Sequence, residues 1–475
     1  MRLPVTAPRS ISFTAVREDA DSSTEAIGRS AIRKASLRLI PLIALGYGAA
    51  YMDRVNISFA ALQMNRDLHF SATIYGFGAG LFFLSYAACE VPSNLMLYRF
   101  GARRWLARIM VTWGLIATAM LFVRTPQQFY LARFLLGMAE AGYFPGVIFY
   151  LTQWFPPELR ARTISRFYIS LPLSSALMGL IAGMLLNLNG RLGLAGWQWL
   201  FLIEGIPPIL LGIAFLLLLP DTPADAKWLT EPEQNWILRR VREGVPAAHH
   251  SGAIFHALVD PRVWQLGIFD LLMLGTTYGY MFIIPQIIQR STHLGVTQVG
   301  FITAGLGLLG APAMLLGASY SDRAQRQSRT AKNQANDRYW HIIPSCLLVA
   351  AGLAICGLST APRVVLPALS LVSIAYYAMQ CPFWSLPPSL FTGKSSAAAI
   401  ATVNTIGITG GFLGPYFMGI AKDLTGDYQR GLTTLALPML LAAGIMFYLS
   451  RTTHRRNAPQ LHATMTETRE SKPST

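Results

Sequence analysis

Charged residues are scarce in this sequence: Asp, Glu, Lys and Arg together make up only 13% of its 475 residues. Soluble domains carry about 25% charged residues, so much of the usual charged surface is missing. Hydrophobic residues make up 53%, and the mean hydropathy is +0.40. This balance excludes an ordinary soluble domain and predicts a surface that faces lipid.

Cysteine is also scarce, and its four residues all lie within apolar stretches. The absence of a C-x-x-C pair argues against a zinc site or a disulfide framework. The sequence also lacks a metal-ligating His/Asp/Glu cluster, a G-x-S-x-G motif and a P-loop. A membrane-bound enzyme or sensor is therefore disfavoured, and we expect no metal and no organic cofactor.

Apolar stretches of ~20 residues, the length that crosses a bilayer, predict twelve spans. They lie near 38–60, 73–97, 105–123, 127–153, 163–187, 197–220, 263–289, 296–318, 340–358, 362–390, 396–421 and 428–450. The fold class is therefore an all-α membrane protein with two pseudo-symmetric six-helix bundles. The predicted boundaries are an N-terminal tail at 1–36, bundles at 37–220 and 263–450, a linker at 221–262 and a C-terminal tail at 451–475. The polar N-terminal tail lacks the apolar core of a secretory signal, and the linker includes a predicted amphipathic helix at Glu231–Glu243.

The basic residues are unevenly distributed between the two sides of this topology. With a cytoplasmic N-terminus, thirty of the 39 Lys and Arg fall in cytoplasmic segments, seven fall in the opposite turns, and Arg54 and Arg133 lie within spans. Cytoplasmic loops of membrane proteins are enriched in Lys and Arg. Both termini are therefore predicted to be cytoplasmic, and the net charge of +16 reflects orientation in the membrane and not nucleic-acid binding.

Two turns resemble the G-x-x-x-D-R-x-G-R-R loop of the major facilitator superfamily. The first lies between the second and third spans, with Tyr98 where the motif usually has Asp; its matching residues are Arg99, Gly101, Arg103 and Arg104. The second lies between the eighth and ninth spans and includes Asp322 and Arg323. The resemblance implies charge contacts that break as the two bundles move.

More specific are the segments Tyr51–Asn56 in the first span and Ala132–Gly142 in the fourth. Together with Glu90–Asn94 and Phe144–Gly146, they are similar to the anion:cation symporter family, which includes bacterial tartrate, phthalate and hydroxyphenylacetate permeases. The similarity runs from about residue 36 to 450. It implies a monomeric inner-membrane transporter that imports a small organic carboxylate with H⁺ as the coupling ion, such as tartrate or another hydroxylated or aromatic acid.

Ionisable residues inside a bilayer are costly and mark functional sites. Arg133 and Glu140 are seven residues apart, so they lie on one face of a helix, whereas the adjacent Asp53 and Arg54 point about 100° apart. A guanidinium can bind a carboxylate through two parallel hydrogen bonds. Because an arginine favours the ionised form of a nearby carboxyl group, an anion that occupies the arginine makes proton binding easier.

The resemblance implies that Asp53 and Glu140 bind the coupling proton and that Arg54 and Arg133 bind substrate. It also places Tyr51 and Asn404 in the cavity. Three further residues are candidates for hydrogen bonds to substrate hydroxyls: Tyr86, Tyr278 and Gln286. The alternatives are that the charges only hold the helices in register and that Tyr278 and Gln286 only join helices.

Three other membrane-embedded acids receive simpler interpretations. Glu90 is more typical of a helix-packing element than of a site, and Glu204 lies near the water-accessible outer end of its span. A solvated vestibule explains Asp270 as well as a transport function does, so the participation of Glu90 and Asp270 stays open.

Two alternative transport functions remain open at this point. An uncoupled organic-anion exchanger or facilitator would keep both arginines but needs no titrating carboxyl groups. A drug/proton antiporter shares the architecture, but the fifth span, at Ile169–Ser175, lacks the Gly-x-x-x-Gly-Pro run typical of such exporters, and its cationic substrates would sit poorly beside two arginines.

Overall fold

Helices build the whole of the described structure, in which no β-strand is present. The computed structural model describes residues 13–156, 159, 163, 170–243, 259–327, 331–391 and 393–456. The first half contains α1 (Phe13–Asp67), α2 (Ala72–Phe100), α3 (Ala102–Ala119), α4 (Pro126–Glu140), α5 (Tyr143–Thr152), α6 (Ser170–Leu186) and α7 (Gly196–Leu218). The linker helix α8 (Glu231–Glu243) occupies the segment where the amphipathic helix is predicted.

The second half repeats this arrangement. It contains α9 (Pro261–Met281), α10 (Ile284–Thr292), α11 (Val296–Gln327), α12 (Ala331–Leu358), α13 (Pro362–Trp384), α14 (Leu386–Leu390), α15 (Gly393–Thr425) and α16 (Gln429–Arg456). Nine helices of the described part are long and apolar enough to cross a membrane, and the bent pair α9–α10 makes ten. Helices α6 and α15 occupy the positions predicted for the fifth and eleventh spans, and the predicted fold class is confirmed.

Local chemistry explains where several helices begin and end. Ser71 caps α2 by accepting from the Ile74 backbone N–H at 3.2 Å, and Thr125 caps α4 in the same way. Gly142 separates α4 from α5 with a φ of 86°, a left-handed conformation that glycine adopts without strain. The break leaves Glu140 as the last residue of α4, inside the bundle.

The N-terminal segment, predicted as a polar tail, is largely helical, because α1 already begins at Phe13. Ala31 and Ala35, one helical turn apart, are both fully buried. Ser30 and Lys34 donate to the Glu233 carboxylate at 2.7 and 2.8 Å. The small apolar stripe and this ion pair dock α1 on the linker helix, which explains the longer helix. Residues 1–12 and 457–475 of the predicted tails lie outside the described residues.

The docking of α8 is expected to depend on pH through Glu233. Burial alone would raise the pKa of this carboxyl group, but hydrogen bonds from Lys34, Ser30 and Thr230 outweigh it and lower the pKa from 4.5 to about 2. A group whose pKa is lowered on docking stabilises the docked state above its ordinary pKa, and that stabilisation is lost as the pH falls toward about 2. A spin label on α8 at position 240 should therefore stay immobile above about pH 5 and gain mobility below about pH 4.5.

The control is a second acid of the same helix. Glu233→Gln should loosen the label already at neutral pH and remove the acid transition, whereas Glu231→Gln, at an exposed position, should behave like the parent protein. Equal mobility in both variants would show that the ion pair does not hold the linker helix.

The two bundles meet closely at one end, which we call the far end: it carries the turns 68–71 and 426–428. Asp423 accepts from the backbone N–H groups of Ala72 and Thr73 at 3.1 and 2.8 Å, which joins α15 to the first turn of α2. Between α6 and α11, a Cβ added to Gly179 would lie 2.6 Å from the Gly300 carbonyl oxygen. Backbone-to-backbone approach therefore closes the far end.

Candidate functional site

Four charged side chains meet inside the N-terminal bundle, beside the aromatic rings of α2. Arg54 donates to Oε1 of Glu140 from Nε at 2.9 Å and also from Nη2, so α1 and α4 are joined by an ion pair. Glu140 is fully buried, and its Oε2 has no partner among the described residues. The Arg54 side chain keeps 17% of its surface exposed. Because a buried carboxylate needs donors, Arg54 is the group that stabilises the charge of Glu140.

Arg133 lies deeper than Arg54 and is only 1% exposed. Its Nη2 donates to the Ala79 carbonyl oxygen at 3.2 Å, and its guanidinium stacks 5.0 Å from the centroid of Phe82. The guanidinium of Arg54 approaches the same ring at 5.6 Å. Phe82 therefore contacts both arginines and stabilises them by cation–π attraction.

The predicted helix face is present, since Arg133 and Glu140 are both buried, but the ion pair forms across helices. Arg54 reaches from α1 to the end of α4, whereas Arg133 interacts electrostatically with Asp53. Asp53 is 2% exposed and accepts from Asn56 Nδ2 at 3.2 Å. As predicted for adjacent residues, Asp53 and Arg54 point to different neighbours.

Aromatic residues surround Arg54 on several sides. The ring of Tyr86 lies 5.1 Å from its guanidinium, and the Tyr278 hydroxyl interacts with it electrostatically from α9 of the other bundle. Tyr278 also packs on Phe83, with ring centroids 4.2 Å apart. The structure therefore brings Tyr86 and Tyr278 to the predicted site.

A small cavity lies between the bundles, next to Tyr51. The Tyr51 hydroxyl is 3.4 Å from that of Tyr377. On the surface of α1, Arg54 stands between two cavity-lining residues, Tyr51 three positions before it and Ser58 four positions after it. The lining is rich in hydroxyl groups, from Tyr51, Ser58, Ser175, Thr277, Tyr280, Thr303, Ser373, Tyr376 and Tyr377.

Asn404 joins the bundles on another side, where its Nδ2 donates to Glu90 Oε1 at 3.4 Å. Gln286 lies elsewhere: it accepts from the Tyr428 hydroxyl at 3.1 Å and lines a second small cavity. The 43° bend between α9 and α10 accounts for this, because Gln286 follows the bend and faces α16. The structure thus does not bring Gln286 to the arginines.

The first loop motif is described in full. Gly101 has a φ of 84°, and Arg99, Arg103 and Arg104 are exposed. The Arg103 backbone N–H donates to Asp221 Oδ1 at 2.9 Å, which ties the turn to the start of the linker. Of the second motif, the side chains of Asp322 and Arg323 lie outside the described residues.

Glu204, which was expected to meet water, is buried, and so is Asp270, for which a solvated vestibule was one of two interpretations. Glu204 is 7% exposed and Asp270 is fully buried, and none of their carboxyl oxygens has a partner among the described residues. Glycines explain both cases, because helices approach closely where a side chain is missing. Gly205 lets α7 pack against Gly114 of α3, and Gly407 lets α15 cover Asp270. Gly205, the chain neighbour of Glu204, was the available sequence signal for that acid, whereas Gly407 is far from Asp270 in the sequence.

Comparison with known proteins agrees with this architecture. A family model described as Major Facilitator Superfamily matches residues 43–415. The chain is 44% identical over 426 residues to a protein of Agrobacterium vitis named as a tartrate transporter, covering 88% of this chain and 91% of the relative. It is 38% identical over 415 residues to a quinolone resistance transporter of Acinetobacter baumannii, covering 87% and 93%.

Among solved structures, a bacterial homologue of the human lysosomal transporter Spinster superposes with a TM-score of 0.71 at 17% identity, covering 90% of this chain and 98% of that one. That similarity concerns the fold, and the relatives in sequence are transporters, not enzymes. The chain belongs to the major facilitator superfamily.

Proposed function

We propose that this protein imports a small organic carboxylate together with protons. The observation that carries the proposal is the Arg54–Glu140 ion pair, in which a fully buried carboxylate depends on one partly exposed guanidinium. A hydroxylated diacid such as tartrate is the preferred substrate class. Two relatives at 44% identity are named as tartrate transporters, and hydroxyl groups line the adjacent cavity.

The ion pair offers a simple mechanism for coupling. A substrate carboxylate that binds Arg54 takes the donors that Glu140 uses. Glu140, left without a donor in a buried position, is then favoured in its neutral form. Anion binding and proton binding therefore promote each other, which is the thermodynamic condition for symport.

The second arginine and the second acid extend this site. Arg133 and Asp53 interact electrostatically, and both guanidiniums lie against Phe82. A diacid bound beside Phe82 would find one guanidinium at each carboxylate. Asp53, which accepts from Asn56, is the second candidate for proton binding.

Alternating access places this chemistry in a transport cycle. The far end is closed by the Asp423 contacts and by the approach of Gly179 to Gly300, and these contacts break when the bundles rock to open that side. The uneven distribution of Lys and Arg supports cytoplasmic termini in a bacterial inner membrane. The single chain supplies both bundles and the whole cavity, so a monomer is the transport unit.

The test is uptake of labelled carboxylates into proteoliposomes, with and without an inward proton gradient. The panel contains tartrate, an aromatic acid, and a quinolone, which is itself an aromatic carboxylic acid. Accumulation that requires the gradient supports symport and identifies the substrate. Exchange that ignores the gradient would replace symport with uncoupled anion exchange, and no uptake of any acid would overturn the two-arginine site.

A further inference from the structure

Glu204 is a buried acid that the coupling mechanism above does not use. It lies on α7 within the N-terminal bundle, is 7% exposed, and has no hydrogen-bond partner for either carboxyl oxygen among the described residues. Helix α7 packs on α1 and α3. An ionised carboxylate in such surroundings is costly, so a purely structural role would be better served by a neutral side chain.

Asn56 connects Glu204 with Asp53. The Asn56 amide donates to Asp53 Oδ1 at 3.2 Å, while its own Oδ1 is buried and has no donor. Glu204 lies within hydrogen-bonding reach of the Asn56 side chain and interacts electrostatically with Asp53. The three side chains therefore form a short chain of carboxyl, amide and carboxyl groups between α1 and α7.

The protonation states of this chain follow from its hydrogen bonds. A protonated Glu204 supplies the donor that Asn56 Oδ1 lacks, and the amide nitrogen then serves Asp53. With both acids ionised, two like charges share one amide nitrogen, and Asn56 Oδ1 stays without a donor. Asp53 is the charged neighbour from α1; the last eleven positions of α3, Ile109–Ala119, and all of α6 contain no charged residue.

Polar side chains continue from this chain toward the far end. On α1, Gln63 lies two helical turns after Asn56, so both side chains are on one face of the helix. On α7, Trp197 lies two turns before Glu204 and likewise shares its face. Gln63 Oε1 is buried without a partner, and Trp197 Nε1 donates to Asp67 Oδ2 at 3.2 Å. Along the axis of α7, Trp197 and Glu204 are about 10 Å apart. This row of groups lies inside the N-terminal bundle and does not include cavity-lining residues.

We propose that Glu204 is a third proton-binding group of the transporter, which binds and releases one proton per cycle in concert with Asp53 through Asn56. This inference rests on the proton-coupled uptake proposed above. It assigns Glu204 a role in proton movement and none in contact with substrate.

The test uses Glu204→Gln in proteoliposomes with a pH-sensitive dye inside, so that proton and substrate uptake are measured together. Glutamine can donate to Asn56 Oδ1 but cannot release a proton. We expect about one proton fewer per substrate and a shifted dependence of uptake on external pH. Because one pH unit is 1.36 kcal/mol per proton, the accumulation ratio at a gradient of one unit should fall about tenfold.

Two variants make the outcome specific. Glu204→Asp keeps a titrating group and should restore part of the proton ratio, while Glu243→Gln removes an exposed acid of the linker helix and should leave it unchanged. A wild-type ratio and pH profile in Glu204→Gln would overturn the inference, because a structural hydrogen bond survives that substitution. If the parent protein itself shows no gradient-driven uptake, the proposed symport fails before Glu204 is reached.

Discussion

Replacing Arg54 with lysine is expected to weaken binding of a carboxylate substrate by about 10- to 100-fold. Arg54 presents two N–H groups to one carboxylate oxygen of Glu140, and an ammonium group cannot reproduce this planar fork. Hydrogen bonds to charged groups contribute about 1.5–3 kcal/mol, and 1.4 kcal/mol corresponds to a factor of ten. The measurement is the dissociation constant of the purified protein for the acid identified by the uptake panel.

The controls separate the site from general effects of charge. Arg99→Lys changes an exposed arginine of the loop motif and should leave the affinity within a factor of two, roughly the scatter of surface substitutions. Arg133→Lys tests the second arginine. A loss of affinity similar to that of Arg54→Lys would indicate that both arginines bind one diacid. Unchanged affinity in both variants would show that the carboxylate binds elsewhere.

Glu140→Gln is expected to abolish uphill accumulation driven by a proton gradient. Glutamine can still accept from Arg54 through its amide oxygen, but it can neither carry the proton nor bring a negative charge to the guanidinium. The substrate therefore faces less competition at Arg54, while the step that links its binding to a proton is gone. The accumulation ratio at steady state should fall to about one, whereas exchange of labelled for unlabelled substrate persists at a changed rate.

An exposed acid again provides the comparison. Glu231→Gln should accumulate substrate like the parent protein, since Glu231 lies in the exposed first turn of α8. Continued uphill uptake by Glu140→Gln would show that another group carries the coupling proton, and loss of exchange as well would indicate that Glu140 is needed for the conformational cycle itself.

The fold was predictable because each crossing needs a long apolar stretch, and a charge inside such a stretch is conspicuous. The four charges of the site were identified in this way, but their pairing was not. Arg133 and Glu140 were placed on one face of a helix without an assigned partner, and it is Arg54 that reaches Glu140, from α1. Which side chains meet across helices depends on how the helices are rotated and how far long side chains extend, and one helix alone does not carry this information.

Contacts between helices also explain why the burial of Glu204 was not predicted. The depth of Glu204 along its span suggested contact with water, but Gly205 brings α3 close enough to cover it. The helical N-terminal segment was missed because its stability comes from docking on α8 through Lys34 and Glu233, two residues that are far apart in sequence.

The cavity wall is unevenly shared between the two bundles. The ion pair belongs entirely to α1 and α4, whereas most of the lining, from Thr277 to Tyr377, comes from the second half of the chain. The arginines proposed to bind the substrate carboxylates also lie in the first half, so the second half is expected to contact mainly the rest of the substrate. Substitutions in the second half would therefore change which acid fits while the four charges stay in place, and directed evolution of such a carrier would best confine its mutagenesis to that half.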